Sequence, residues 1–196
     1  IIYEQLLPVE DGIKVLDILR EYDTLREAFR AGKGYIEKAV LSDLERYVAS
    51  EHAKRYVLET RQPVDDLTGY VRETGEPLDK VHGIFADQGQ RSEALRRLKE
   101  LDGVSATSAL TNNIEVNHYA VNKGRGLLEL GRALGIKREE IMGCGDGMND
   151  LEMIREVGLG VAMANGIDAV KECADYITDT NNNDGAAKAI EKFVLN

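Results

Sequence analysis

The sequence predicts an α/β protein of two units, a mixed α+β unit over residues 1–113 and a regular α/β unit over 114–196. Three observations carry this expectation. From Lys123 onward, short apolar runs alternate with amphipathic stretches, the signature of βα units in a parallel sheet. Before residue 113, strand-like and helix-like runs follow no such regular order. Between them in importance stands one turn, Gly143-Cys144-Gly145-Asp146-Gly147-Met148-Asn149-Asp150, which carries two carboxylates where a strand hands over to a helix.

Taken in order, Ile1 to Leu7 reads as a strand closed by Pro8, and Val9 to Arg20 as a helix with an apolar face at 9, 13, 16 and 19. Asp23 to Phe29 and Tyr35-Ile36 form a hairpin around Ala31-Gly32-Lys33-Gly34. A polar, helix-prone stretch runs to Thr74, with Pro63 placed in a first helical turn. Lys80 to Ala86 reads as a strand, Arg91 to Leu101 as a helix, Val104 to Leu110 and Ile114 to His118 as strands. The regular part follows: helix Lys123 to Leu134, strand Ile141 to Cys144, helix Asp150 to Val157, strand Leu159 to Met163. Helix Ile167 to Cys173, strand Tyr176-Ile177 and helix Ala186 to Val194 complete it.

Composition narrows the function. A net charge of −10 argues against nucleic acid or an anionic membrane as the main partner. It leaves a phosphate substrate open, because a local metal and one lysine dominate at short range. Two cysteines make no disulfide framework, so a reducing cytoplasm is the expected compartment. No apolar run approaches the roughly 20 residues that cross a bilayer. Oligomeric state is not legible.

The acidic turn has the chemistry of a magnesium site. Ligands bind beyond the carboxyl ends of strands in an open parallel sheet, and Asp146 falls there. Magnesium takes one or two protein carboxylates and completes its shell with water and substrate phosphate, a demand that Asp146 and Asp150 fit. Asn149 is suited to cap the following helix and to steer a neighbouring carboxylate. An Asn-Asp pair alone is an ordinary helix start; the glycines and the preceding apolar strand are what mark this one. An EF-hand loop from Asp146 would need Gly at 151 and Glu at 157, where the chain has Leu151 and Val157. A dinucleotide fingerprint would need glycine where Met148 stands.

A second signal is Asn122-Lys123-Gly124-Arg125-Gly126. Helix first turns favour acidic residues, yet this one carries two cations and two glycines. An electropositive helix start is an anion site, and Lys123 is the natural partner for a phosphate. His52, His82 and His118 share no metal-ligand spacing and read as surface or structural residues. Cys144 reads as a small packed residue. The Thr111-Asn112-Asn113 cluster reads as a turn, and Asn181 to Gly185 as a turn that also suits the rim of the site.

With Lys123-Gly124, then Gly145-Asp146-Gly147-Met148-Asn149-Asp150, then Gly160-Val161-Ala162-Met163-Ala164-Asn165, the chain resembles the Cof-type branch of the haloacid dehalogenase-like hydrolases. The resemblance is specific over 114–196 and looser over 1–113. It implies a Rossmann-like parallel-sheet core, of which 114–196 is the carboxy-terminal half, and an α+β cap over 1–113 that sets substrate specificity. It implies a magnesium-dependent phosphatase of small phosphorylated metabolites. Lys123 would be the catalytic and phosphoryl-holding residue, Asp146 and Asp150 the metal ligands, and Asn149 a further residue at the substrate and metal shell.

The departure from that family is as specific. The nucleophile of such enzymes is the first Asp of an Asp-x-Asp-Gly-Thr motif, and no two aspartates here lie two residues apart. No Thr or Ser matches the second motif. The chain is therefore expected to be a fragment that starts at the cap, short of two βα units or roughly 60–80 residues, with little activity alone. A truncated, non-catalytic metal- or phosphate-binding protein and a sugar phosphomutase are the alternatives.

Overall fold

The structure, a computed structural model, describes residues 1–108 and 111–195. It divides into one compact unit of residues 5–120 and a second of residues 1–4 with 121–196.

The first unit is built on a six-stranded sheet. Helix α1 (Val9–Arg20) starts directly after Pro8, with Glu10 and Asp11 in its first turn, where the helix dipole favours anions. Strands β1 (Thr24–Arg30) and β2 (Lys33–Glu37) form the expected hairpin. Its two-residue loop places Ala31 and Gly32 at φ of 50° and 73°, the doubly left-handed turn that matches strand twist. A 3₁₀ segment (Lys38–Arg46) and α2 (Glu51–Thr60) lead to β3 (Arg61–Val64), followed by α3 (Leu67–Thr74). Strand β4 (Lys80–Phe85), α4 (Gln88–Leu98), β5 (Val104–Thr107) and β6 (Asn113–His118) complete the unit. Strand order is β3-β2-β1-β4-β6-β5, antiparallel apart from the β2–β3 pair.

Alternation splits the side chains between two faces of this sheet. Ala28, Tyr35, Val81, Phe85, Ile114 and Val116 meet the helices, which contribute Val15, Leu16, Leu19, Leu67, Val71, Ala94 and Leu98. On the other face Leu25 and Ile36 pack with Leu44, Val48 and Val57 from the 3₁₀ segment and α2.

Four expectations need correction here. Ile1 to Leu7 is not a strand: only Leu7 pairs, in an isolated bridge to Leu78. Pro63 lies in β3 rather than in a helical first turn; β3 is an edge strand, where the missing N–H costs no ladder bond. Helix α4 begins three residues before Arg91, capped by Asp87, whose side chain accepts the Gln90 N–H at 2.8 Å. The division expected at 113/114 falls at 120/121 instead. The strand there, β6, pairs with β4 in register Val81↔Val116 and so belongs to the first sheet. The last part of the strand expected over Val104 to Leu110 falls on Ala109 and Leu110, outside the described residues.

The second unit is the regular one. Helix α5 (Lys123–Leu134) has the predicted ends, with Gly135 left-handed at φ 72° as its cap. Then come β7 (Met142–Gly145), α6 (Leu151–Glu156), β8 (Leu159–Ala162), α7 (Asp168–Cys173), β9 (Tyr176–Ile177) and α8 (Gly185–Ile190). The three strands are parallel in the order β7-β8-β9, and β7 has a neighbour on one side only among the described residues. Leu151, Ile154, Ala162 and Val170 form the buried cluster of this unit. The α/β class read from the sequence, with a parallel-rich sheet, is the observed one. No helix among the described residues is long and apolar enough to cross a membrane.

Candidate active site

The site grows from the carboxyl ends of three parallel strands. In register, Gly145 of β7 faces Ala162 of β8, and Ala162 faces Ile177 of β9. The residues that follow these strands, Asp146, Met163 to Asn165, and Thr178 to Asn181, therefore leave the sheet side by side. Asn165 Nδ2 donates to Asp146 Oδ2 at 3.2 Å, and Asn165 Oδ1 accepts the Asn181 N–H at 2.8 Å. The Ile167 N–H donates to the Asp146 carbonyl at 3.0 Å. One asparagine side chain thus ties all three strand ends together.

After Gly145 the backbone makes a tight 3₁₀ turn, Met148–Asp150, that runs into α6. Asp150 reaches back over this turn. Its Oδ2 accepts the N–H groups of Asp146 and Gly147, both at 3.0 Å, and its Oδ1 takes the Lys123 ammonium at 2.5 Å. Asn149 does not cap α6: it sits inside the 3₁₀ turn, and Asp150, the residue at the helix start, directs its carboxylate back to Asp146 and Gly147 rather than onto the helix. Two glycines make this possible. A Cβ on Gly145 would lie 2.4 Å from the Asp150 Cβ, so a side chain there would displace the carboxylate. A Cβ on Gly124 would lie 3.0 Å from the Met153 backbone, so glycine lets α5 approach α6 closely enough for Lys123 to reach across. Gly124, one of the two glycines of that unusual helix start, thus works as a contact surface.

The electrostatics follow from burial. Asp150 is 6% exposed while Lys123 is 52% exposed. Burial alone pushes the Asp150 carboxyl up, but the Lys123 ammonium and two backbone N–H donors outweigh it and hold it below the usual carboxylate range. Asp146, by contrast, is exposed, with Asn165 as its side-chain partner. At the neighbouring strand end, the Lys188 ammonium and the Thr180 N–H and Asn183 amide draw Asp179 down to about 2. Cys144 is partly buried in β7, and burial pushes its thiol up, which fits a packing role.

The donor set fits magnesium better than a metal that needs a protein cage. Among the described residues no group of three or more His, Cys, Asp or Glu gathers around one point. A single open carboxylate at Asp146, with a lysine-held carboxylate four residues on, suits an ion that takes its other ligands from water and phosphate. Of the sequence-predicted residues, Lys123 and Asp150 are brought into contact, Asp146 is joined to Asp150 through its own N–H, and Asn149 lies in the turn between them. Asn165 was quoted from the sequence as part of a family motif but given no role, and its bonds to Asp146 and Asn181 were not foreseen. The available signal was an amide residue just beyond the strand that neighbours the acidic one.

Comparison with known proteins adds the lineage. The sequence model of the haloacid dehalogenase-like hydrolases matches residues 1–190. A 5-amino-6-(5-phospho-D-ribitylamino)uracil phosphatase of Bacillus subtilis is 48% identical over 109 residues, covering 56% of this chain and 44% of that protein. A phosphoglycolate phosphatase of Methanosarcina acetivorans is 40% identical over 78 residues, covering 40% of this chain and 34% of that protein. The matched stretches thus span less than half the length of these relatives. In structure, a haloacid dehalogenase-like hydrolase from Bacteroides thetaiotaomicron superposes at a TM-score of 0.73 with 28% identity, over 97% of this chain and 68% of that one. A second such hydrolase, from B. subtilis, reaches 0.78 at 22% identity, over 98% and 73%, a likeness of fold. Matched by that model over nearly its whole length, the chain belongs to the haloacid dehalogenase-like hydrolases.

Proposed function

We propose that this chain supplies the metal- and phosphate-binding part of a magnesium-dependent phosphatase that acts on small phosphorylated metabolites. The observation that carries this reading is the Lys123–Asp150 ion pair, hydrogen-bonded through Asp150 to the backbone of Asp146 at the carboxyl end of a parallel sheet. Family membership and relatives named as phosphatases support it.

The roles divide by exposure. Asp146, open to solvent, is the direct magnesium ligand. Magnesium bound there would neutralise charge on phosphoryl oxygens, as it does in phosphoryl transfer generally. Asp150 has both oxygens engaged and orients the site: it fixes the turn that presents Asp146 and holds Lys123 charged and in place. Lys123, half exposed, turns its ammonium to the phosphoryl group. Asn149, partly exposed in the same turn, flanks the substrate and the metal's water shell. Asn165 sets the rotation of the Asp146 carboxylate.

The attacking carboxylate and the acid/base that serves the leaving group have no counterpart in the sequence, which contains no Asp-x-Asp pair. Binding and turnover therefore separate. The chain is expected to bind inorganic phosphate in the presence of magnesium, followed by ³¹P NMR, and Lys123→Ala is expected to abolish that binding. It is expected to hydrolyse little or no p-nitrophenyl phosphate. Turnover by the purified chain, lost in Asp146→Ala, would show that a nucleophile is present after all; phosphate binding untouched by Lys123→Ala would remove the role given to the lysine.

A further inference from the structure

The loop that follows β9 is held by more bonds than a connecting turn needs, and the chemistry above leaves them without a purpose. Thr178, buried, donates its hydroxyl to the Gly185 carbonyl at 2.6 Å. The Thr180 carbonyl accepts the Asn183 and Gly185 N–H groups, both at 3.0 Å. Asp179 closes the loop from inside. Its Oδ1 accepts the Thr180 N–H at 2.7 Å and the Asn183 amide at 3.3 Å, and its Oδ2 takes the ammonium of Lys188, nine residues on in α8, at 2.7 Å. A Cβ on Gly185 would lie 2.1 Å from the Asp179 carbonyl oxygen, so the chain returns as tightly as its backbone permits. At the tip Asp184 is left-handed, with φ 57°, a conformation that costs a non-glycine residue free energy and that the surrounding bonds must hold.

What the loop presents to the site is one backbone donor. The Asn181 N–H meets Asn165 Oδ1, and Asn165 Nδ2 meets Asp146 Oδ2. An exposed asparagine turns about its Cβ–Cγ bond unless its partners tell nitrogen from oxygen, since one end of the amide donates and the other accepts. Turned over, Asn165 would set its carbonyl against the Asp146 carboxylate, acceptor against acceptor. The Asn181 N–H opposes this, because only an oxygen can meet it. The orientation of a side chain on the β8 strand end thus depends on where the β9 loop aims one N–H. The Lys188–Asp179 pair, 53% and 38% exposed, would contribute little as a lone surface ion pair. A carboxylate that gathers a backbone N–H, an amide and an ammonium fixes a geometry instead.

We infer that Asp179, braced by Lys188, is a positioning residue for Asp146. It holds the 180–185 loop so that the Asn181 N–H sets the Asn165 amide with its nitrogen toward the carboxylate, which engages one Asp146 oxygen and leaves the other to a cation. The part that concerns the cation rests on the magnesium role proposed for Asp146; the part that concerns the amide stands without it.

The test has two arms, both on the full chain. In the first, without metal, NMR follows the Asn165 side-chain amide and the Asn181 N–H in the parent, Asp179→Ala and Lys188→Met; the last changes a half-exposed side chain and serves if Asp179→Ala does not fold. Both variants are expected to lose exchange protection at the Asn181 N–H and to move the Asn165 amide resonances toward those of a free side chain. In the second arm, magnesium affinity is measured by calorimetry in a double-mutant cycle with Asn165→Ala. Asp179→Ala is expected to weaken binding about fivefold in the parent, the size of one misaligned hydrogen bond, and to add nothing once Asn165 is gone. Lys188→Met is expected to act in the same direction by a smaller factor. The inference is overturned if neither variant moves the Asn165 and Asn181 resonances, or if Asp179→Ala weakens magnesium binding as much without Asn165 as with it. A parent chain that binds no magnesium would remove the role of Asp146 and leave the first arm to decide the positioning role, so the two readings fail separately.

Discussion

The two ion pairs at the centre of the two units are opposites in how they are built. Arg61–Glu27–His82 is sealed: Glu27 is 1% exposed, Arg61 10% and His82 13%. Lys123–Asp150 is open on one side, a buried carboxylate holding a lysine that is half in solvent. The sealed cluster spans strands distant in sequence and is brought together by register, Glu27 opposite His82 across the β1–β4 pair. The open pair is local, made by one turn and the helix before it. A sealed cluster with every member satisfied fixes a shape. An open pair keeps one charge available, which is what a site that binds anions requires. Here the cluster buried on every side braces a sheet face, and the pair buried on one side keeps a lysine charge available.

The sharpest way to break this contrast is to remove the carboxylate from each. Glu27→Ala leaves the Arg61 guanidinium buried without its counter-charge and His82 Nδ1 without its partner, and is expected to cost about 3–5 kcal/mol in urea unfolding. Asp150→Ala is expected to cost less, about 1–2 kcal/mol, because Lys123 can turn to water and the main loss is two backbone hydrogen bonds. Equal losses would erase the distinction. Gly145→Ala should fall between them, about 1–3 kcal/mol, as its Cβ forces the turn or the Asp150 side chain to move. Such a variant should also lose the Lys123–Asp150 contact, visible in the lysine ammonium resonance.

Acid sharpens the comparison further. The Asp150 carboxyl is held below its ordinary value of 3.8, so its contribution to stability is fully present above that value. It is lost as the pH falls through the lower, folded-state value. The amide protons of Asp146 and Gly147, which Asp150 holds, are expected to lose exchange protection on acidification below about pH 4, and Asp150→Asn to remove that dependence. Protection that rose on acidification would contradict the assigned direction. The smallest effect is expected from Asn165→Ala, about 1 kcal/mol in stability for one exposed amide bridge. It should nevertheless reorient Asp146 and weaken magnesium binding more than it weakens the fold.

The same contrast explains what was legible in the sequence. The second unit was read nearly to the residue: Lys123–Leu134 and Tyr176–Ile177 have the expected bounds, and the acidic turn lies at the expected strand end. Its logic is local, with period, cap and motif all within a few residues. In the first unit the elements were mostly found, but their partners were not. The alternating run Asn113–His118 reads as a strand from sequence, yet only pairing with β4 tells which sheet it joins. Pro63 looked like a helix start because nothing local announces an edge strand. His82 was read as surface or structural; its place under a carboxylate depends on a β1–β4 register that no short window contains. The role of Asn165 went unread for a similar reason, since its bond to Asp146 crosses from one strand end to the next.

The most direct measurement is magnesium titration by calorimetry on the parent chain, Asp146→Asn and Asp150→Asn. The parent is expected to bind one magnesium ion, Asp146→Asn to lose that binding, and Asp150→Asn to retain it weakened through a loosened turn. Magnesium binding that survives Asp146→Asn unchanged would contradict the site described here.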